Sequence, residues 1–181
     1  MRIIGGEWGG RKIHPPSKMP FTRPTTDIAK EGLFNIIQSN RSMEGLKTLD
    51  LFGGTGSISF ELASRGATDL TIVEKDSQML AFIRKTAETL GLCQLKVIPS
   101  DVFRFLKKDS NTYDFIFAGP PYALETIDQI PGYIFAGNFL KENGWFVLEH
   151  TPRNSYQTYP LFITERNYGT TLFSIFINKP K

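Results

Sequence analysis

Beginning at Lys47, the chain alternates short apolar runs with amphipathic stretches. The runs 47–52, 69–74, 95–99, 113–118 and 144–149 read as β-strands. They are apolar on both faces and partly β-branched, as expected of a sheet covered on both sides by helices. Helices are predicted near 57–65, 77–90, 101–108 and 124–139. Strands and helices in this rhythm specify a parallel, doubly wound sheet. The rhythm breaks near the end of the chain. Leu161–Arg166 and Thr171–Ile177 flank Asn167-Tyr-Gly169 with no helix between them, which predicts an antiparallel hairpin closing one side of the sheet. Ahead of the alternation, Thr25 or Thr26 caps a helix running to about Ser39. Its apolar positions Ile28, Leu33, Phe34, Ile36 and Ile37 have approximate helical spacing, and Asp27 lies at the positive end of the dipole. Residues 2–14 are compatible with a short hairpin turning at Gly9-Gly10, and 15–24 hold too much proline for regular structure. The expected fold class is α/β, Rossmann-like, with a seven-stranded, mostly parallel doubly wound sheet, an antiparallel C-terminal hairpin and a short N-terminal arm. The expected division is an arm over 1–24 and one domain over 25–181.

The 181 residues are 40% apolar and 22% charged, which supports a sizeable core. No apolar run approaches the roughly 20 residues of a membrane span. The first residues lack the apolar core of a secretory signal, and a single cysteine, Cys93, excludes an internal disulfide; both lead to the expectation of a cytoplasmic protein.

Charge adds something the pattern does not show. Residues 1–30 carry Arg2, Arg11, Lys12, Lys18, Arg23 and Lys30 against Glu7 and Asp27, so the whole positive excess of the chain (+3) resides there. With Trp8 and Phe21 interleaved on a mobile arm, such a segment suits a polyanion such as RNA. A solvated hairpin whose charges aid solubility is the competing reading.

Ligands of doubly wound sheets bind beyond the carboxyl ends of the strands. The first strand carries Asp50 and Phe52 into a loop with Gly53, Gly54 and Gly56. The loop lacks the Lys-Ser/Thr of a P-loop and the third glycine of the dinucleotide fingerprint. The second strand ends in Glu74-Lys75, where a carboxylate can accept bonds from both ribose hydroxyls. Asp101-Val102 follows the third strand, with an acceptor for an adenine amino group, and Gly119-Pro120-Pro121-Tyr122 follows the fourth. Each acid alone is better explained as a helix cap or a solvated strand end. Together, four such strand ends describe an adenosine site. His14 and His150 are isolated, and no His/Cys/Asp cluster has the spacing of metal ligands, so no metal is expected.

Asp50-Leu-Phe-x-Gly54-x-Gly56, Glu74, Asp101 and Pro-Pro-Tyr122 resemble the S-adenosylmethionine-dependent methyltransferases with a seven-stranded sheet. Arg2-Ile-Ile-Gly-Gly6 with Gly10-Arg11, Arg23-Pro-Thr-Thr-Asp27 with Glu31-x-Leu-Phe-Asn35, and Tyr168-Gly-Thr170 are similar, more narrowly, to bacterial 16S ribosomal RNA guanine-N2 methyltransferases. The resemblance spans essentially the whole chain. It implies a monomeric cytoplasmic enzyme that moves a methyl group to the exocyclic amine of a guanine in small-subunit RNA or the assembling subunit. S-adenosylmethionine would be held by Asp50, Phe52, Gly54, Gly56, Glu74, Lys75, Asp101 and Val102. RNA would be contacted by Arg2, Arg11, Lys12, Arg23 and Thr25, and Gly119, Pro120, Pro121 and Tyr122 would form the reaction loop. In the family an Asp or Asn before Pro-Pro and the first proline's carbonyl accept bonds from the target amine, and the following aromatic stacks on an extruded base.

This chain has Gly119 where the family has that acceptor. Removing one well-placed catalytic polar group costs about 3 kcal/mol, roughly a hundredfold in rate. A slow or silent cofactor- and RNA-binding relative, a nearby substitute (Asn138, Glu149 or Asp27), and an introduced glycine all remain open. A DNA adenine methyltransferase also carries Pro-Pro-Tyr, but about 180 residues leave no room for a separate target-recognition domain.

Overall fold

The computed structural model describes residues 1–19 and 25–180. Seven strands form one sheet: β1 (Lys47–Leu51), β2 (Asp69–Glu74), β3 (Leu95–Pro99), β4 (Tyr113–Ala118), β5 (Leu140–His150), β6 (Phe162–Tyr168) and β7 (Thr171–Ile177). Their spatial order is β3-β2-β1-β4-β5-β7-β6. The first five are parallel, and β7 enters antiparallel between β5 and β6. The order reverses between β1 and β4, so the crevice of a doubly wound sheet opens beyond those two strands. β1, β2, β4 and most of β5 are buried on both faces, while the edge strands β3 and β6 alternate in exposure.

The helices are α1 (Asp27–Asn40), α2 (Ser57–Ser64), α3 (Ser77–Leu90), α4 (Val102–Leu106) and α5 (Ile130–Ala136). Two apolar clusters sandwich the sheet: one gathers Leu33, Phe34, Phe60, Ile72 and Phe115, the other Leu49, Leu51, Ile116, Ile130 and Phe146.

Three differences from expectation have local causes. Thr26 caps α1 by accepting from Ala29 N, one of the two caps expected, but Ile28, expected on the apolar face, points to solvent at 75% exposure. The buried face of α1 is Ala29, Lys30, Leu33, Phe34 and Ile37. The helix expected over 124–139 is reduced to a 3-10 turn (Ile127–Gln129) leading into α5, with Pro131 in its first turn. Asn138, in the left-handed region at φ 52°, closes it. β5 starts at Leu140 rather than 144, and its pairing with β4 shifts register between Tyr113 and Phe115.

The first residues do not form a free arm. Ile3 N donates to Arg11 O, Gly10 N to Ile3 O and Ile13 N to Met1 O. Arg2 and Lys12 pair as an isolated bridge, and the turn spans 5–10 rather than Gly9-Gly10 alone. This hairpin is fastened to the domain through Glu61, whose carboxylate accepts from Ile4 N (2.7 Å) and Gly5 N (2.9 Å). Ser64 Oγ accepts from Trp8 N and donates to Gly5 O. Ile3 and Ile13 join the core.

Candidate active site

The glycine loop after β1 is built by three distinct requirements. A Cβ on Gly53 would lie 2.3 Å from Ile72 Cγ1, so only hydrogen lets the loop pack on β2. Gly54 and Gly56 have φ of 53° and 75°, where glycine carries no steric penalty. Phe52 also holds a positive φ, 61°, a strained dihedral that the surrounding fold imposes at the end of β1.

The loop borders a cleft of about 470 Å³, within the range of small-molecule sites. Asp50, Phe52, Gly54, Glu74, Lys75, Asp101, Val102, Gly119, Pro120, Pro121 and Tyr122 all line it. Gly56 does not: it caps α2 behind the wall, packed against Phe60. The elements that the sequence places far apart therefore converge on one cavity.

Each acid has a defined setting. Glu74 Oε2 accepts from Gly54 N at 2.8 Å, and Oε1 accepts from Lys75 N and Asp76 N at 2.8 Å, so the carboxylate couples the end of β2 to the glycine loop. Asp101 caps α4, accepting from Arg104 N at 3.1 Å. Capping uses Oδ1, and a carboxylate has further acceptor capacity for a ligand. Asp50 is 2% exposed and accepts from Ser59 N (3.2 Å) and Ser59 Oγ (2.7 Å). Burial pushes its carboxyl up to about 7, against the pull of the two Ser59 bonds.

Among the described residues, the cleft wall carries Asp50, Glu74, Asp76, Asp101 and Glu149 against a single base, Lys75. Such a wall suits a ligand with positive charge, which would relieve the cost of ionising Asp50. Phe103, at the edge of Phe52 with ring centroids 6.5 Å apart, adds an aromatic surface. A cationic adenosine compound fits these residues. The sequence pattern does not single out Phe103 or Asp76; the one signal for Phe103 is an aromatic two positions after the strand-end acid Asp101.

The far end of the cleft holds the Pro-Pro-Tyr loop. Gly119 N donates to Leu51 O at 3.2 Å, fixing the loop to β1. Tyr122 Oη donates to Glu149 Oε1 at 3.0 Å and lies 3.0 Å from Thr171 Oγ1. Thr25 Oγ1 donates to Glu149 Oε2. Thr25, expected at RNA, thus sits in the cleft wall. Of the three side chains considered as substitutes at Gly119, Glu149 lines the cleft; Asn138 and Asp27 are not among its described lining residues.

Arg2, Arg11 and Lys12 are exposed, and the bridge between Arg2 and Lys12 gathers them on the hairpin. Lys30 Nζ donates to Arg2 O and to Ser57 Oγ, a wall residue, so the hairpin is tied to the cleft. Arg23 and Phe21 lie outside the described residues. No three His, Cys, Asp or Glu side chains gather as a metal-binding group among the described residues. Among them, too, no helix is long and apolar enough to cross a membrane.

Comparison with known proteins agrees with this geometry. The family profile described as conserved hypothetical protein 95 matches residues 1–177. The ribosomal RNA small subunit methyltransferase D of Escherichia coli (strain K12) is 32% identical over 149 residues, covering 82% of this chain and 71% of that protein. The solved structure of the Escherichia coli protein yhhF matches with a TM-score of 0.87 at 25% identity, over 99% of this chain and 98% of the other. SMU.776, solved in complex with SAH, has a TM-score of 0.61 over 76% of this chain and 46% of its own, and at 20% identity shows the shared fold alone. With a family match over nearly its full length and a 32% identical relative, the chain belongs to the conserved hypothetical protein 95 family, a family of rRNA methyltransferases.

Proposed function

We propose that this protein methylates the exocyclic N2 amine of a guanine in small-subunit ribosomal RNA. S-adenosylmethionine is the methyl donor. The observation that carries this reading is the convergence of Asp50, Glu74, Asp101 and the Pro-Pro-Tyr122 loop on one acidic cleft at the sheet's switch point. The name of its Escherichia coli relative supports ribosomal RNA as the substrate.

Bound there, the donor would supply an already activated methyl on a sulfonium, so this chain's task is positioning. In this reading Glu74 accepts from ribose hydroxyls and Asp101 from the adenine amine, while Phe52, Val102 and Phe103, which line the same cleft, offer apolar surface to the base. A guanine amine is a poor nucleophile because its lone pair is delocalised into the ring. Acceptors at the amine hydrogens, of which the Pro120 carbonyl is one, localise the pair on nitrogen and fix its direction. Tyr122, pinned through its hydroxyl, presents a ring on which an extruded base can stack. The hairpin with Arg2, Arg11 and Lys12 would grip the phosphate backbone beside the cleft. We place the enzyme in the cytoplasm, as a monomer acting on RNA or on the assembling small subunit.

A second reading rests on Gly119: a relative that binds cofactor and RNA in ribosome assembly without transferring a methyl group. Incubating under-methylated small subunits with the protein and labelled donor, then identifying the methylated nucleoside by mass spectrometry, separates the two. N2-methylguanosine is expected; absence of transfer by both this protein and Gly119→Asp refutes the enzymatic reading. Methylated adenine in DNA would point instead to the DNA enzyme class.

A further inference from the structure

We propose that Glu149 is a catalytic residue: its carboxylate accepts the hydrogen bond from the target amine that residue 119 cannot. The inference rests on the methyl-transfer reading above and adds a residue to it. A Cβ built on Gly119 would lie 3.8 Å from Glu149 Oε2, in van der Waals contact, so the Glu149 carboxylate stands beside the position from which a side chain at 119 would start. Both residues line the cleft beside Pro120, whose carbonyl is the other acceptor. Glu149 is 4% exposed at the end of β5, a rigid strand buried on both faces, and its position is set from two sides. Tyr122 Oη donates to one oxygen and Thr25 Oγ1 to the other. These two bonds orient a carboxylate that lines the cleft. A buried carboxylate oriented by hydroxyls from two separate segments is a preorganised dipole of the kind that acts where charge develops.

The step balances without a co-reactant. The bond from amine nitrogen to methyl carbon forms as the carbon–sulfur bond of the sulfonium breaks, and that bond's electron pair stays on sulfur. The nitrogen sheds one proton, which Glu149 receives and returns to water. Gly119 then makes physical sense: an Asp beside Glu149 would set two carboxylates against each other, and one would be driven neutral.

Single-turnover methyl transfer on under-methylated small subunits tests this, with donor affinity by calorimetry as the control for an intact fold. Glu149→Gln keeps the shape and is expected to slow transfer about a hundredfold with donor affinity unchanged. Tyr122→Phe removes one of the two hydroxyls that orient Glu149 but keeps the ring and the carboxylate, and is expected to slow transfer about tenfold, well short of the loss in Glu149→Gln. Gly119→Asp with Glu149→Gln moves the single carboxylate to the neighbouring position and is expected to recover much of the lost rate. The first two variants decide the matter even if Phe117, 2.9 Å from the new Cβ, prevents the double variant from folding. Equal losses in Tyr122→Phe and Glu149→Gln would reduce Glu149 to a support for the ring and overturn the proposal, as would unchanged transfer by Glu149→Gln. An inactive parent with an active Gly119→Asp would overturn it while leaving the methyl-transfer reading intact. No transfer by either would remove both.

Discussion

Lys30 Nζ and Glu61 Oε2 stand 3.6 Å apart with side chains 1% and 0% exposed, a fully buried ion pair between α1 and α2. Burial lowers the Lys30 pKa despite the nearby Glu61 carboxylate. The pair persists because both groups are hydrogen-bonded beyond each other. Lys30 also donates to Arg2 O and Ser57 Oγ, and Glu61 also holds Arg65 Nε (2.8 Å) and two amides of the hairpin.

Removing one partner of such a pair costs about 3–5 kcal/mol because the other stays buried and uncompensated. Lys30→Met is expected to lower unfolding stability by that order in denaturant titration. Glu61→Gln leaves Lys30 and Arg65 without their counter-charge and should cost a similar amount, and it should in addition raise hydrogen exchange at the amides of Ile4 and Gly5. Unchanged exchange at those two amides would show that the hairpin is held without Glu61, through Ser64 and the burial of Ile3 and Ile13.

Asp50 makes stability and ligand binding depend on pH in opposite senses. Its folded pKa, about 7, lies above the ordinary value of 3.8. Between these values the folded chain keeps a proton that the unfolded chain has released, so the stabilising contribution is full below about pH 4 and declines until about pH 7. The shift of roughly three units corresponds to a decline on the order of 4 kcal/mol. Asp50→Asn, which can still accept from Ser59, is expected to remove this decline, so that the variant gains on the parent between about pH 4 and pH 7. A cationic donor favours the ionised carboxylate, so donor affinity of the parent is expected to rise over the same interval with proton release. Calorimetry in buffers of different ionisation enthalpy measures that release; its absence would place the donor's charge away from Asp50.

The same residues show what could be read from the chain and what could not. The strands were legible because β1, β2 and β4 are buried on both faces, and a short apolar run between turn residues has few other uses. The strand-end acids were legible because the fold class puts every such end at one crevice. Lys30 and Glu61 were not: a charged residue within a helix ordinarily marks the solvent face, and here both helices turn it inward. Glu149 could be named as a possible substitute but not placed, since its hydroxyl partners Thr25 and Tyr122 lie 124 and 27 positions away. The helix expected over 124–139 failed locally. Pro131 cannot donate in the ladder and sits in the first turn of a new helix, where that loss is harmless.

Glu74 is expected to be the residue on which donor affinity depends most. Its side chain accepts three backbone bonds, including one from Gly54, so it shapes the loop as well as lining the cleft. Hydrogen bonds to a charged group contribute about 1.5–3 kcal/mol each, so removing the bonds to ribose alone weakens binding on the order of a hundredfold. Glu74→Ala should lose that and more, because Gly54 N is released as well. Glu74→Gln, with one acceptor oxygen, should fall between. Calorimetry with S-adenosylmethionine gives the order, and an Ala variant that binds like the parent would refute the assignment.

The basic hairpin yields a prediction separable from everything in the cleft. Arg2, Arg11 and Lys12 are exposed, and what fixes the hairpin is its backbone, through Glu61 and Ser64. Truncating Arg11 and Lys12 together should therefore leave folding and donor affinity unaltered. If their charges sit on phosphates, each such pairing releases a counterion, and the slope of log affinity against log salt falls by about 0.7–0.9 for every phosphate no longer neutralised. The double variant Arg11→Ala, Lys12→Ala is then expected to bind small-subunit RNA more weakly at low salt and to approach the parent as salt rises. A merely solubilising hairpin predicts the same slope for both proteins. Fluorescence anisotropy over a salt series distinguishes them, because the cleft, whose described wall carries one base against five acids, contributes little to the slope in either case.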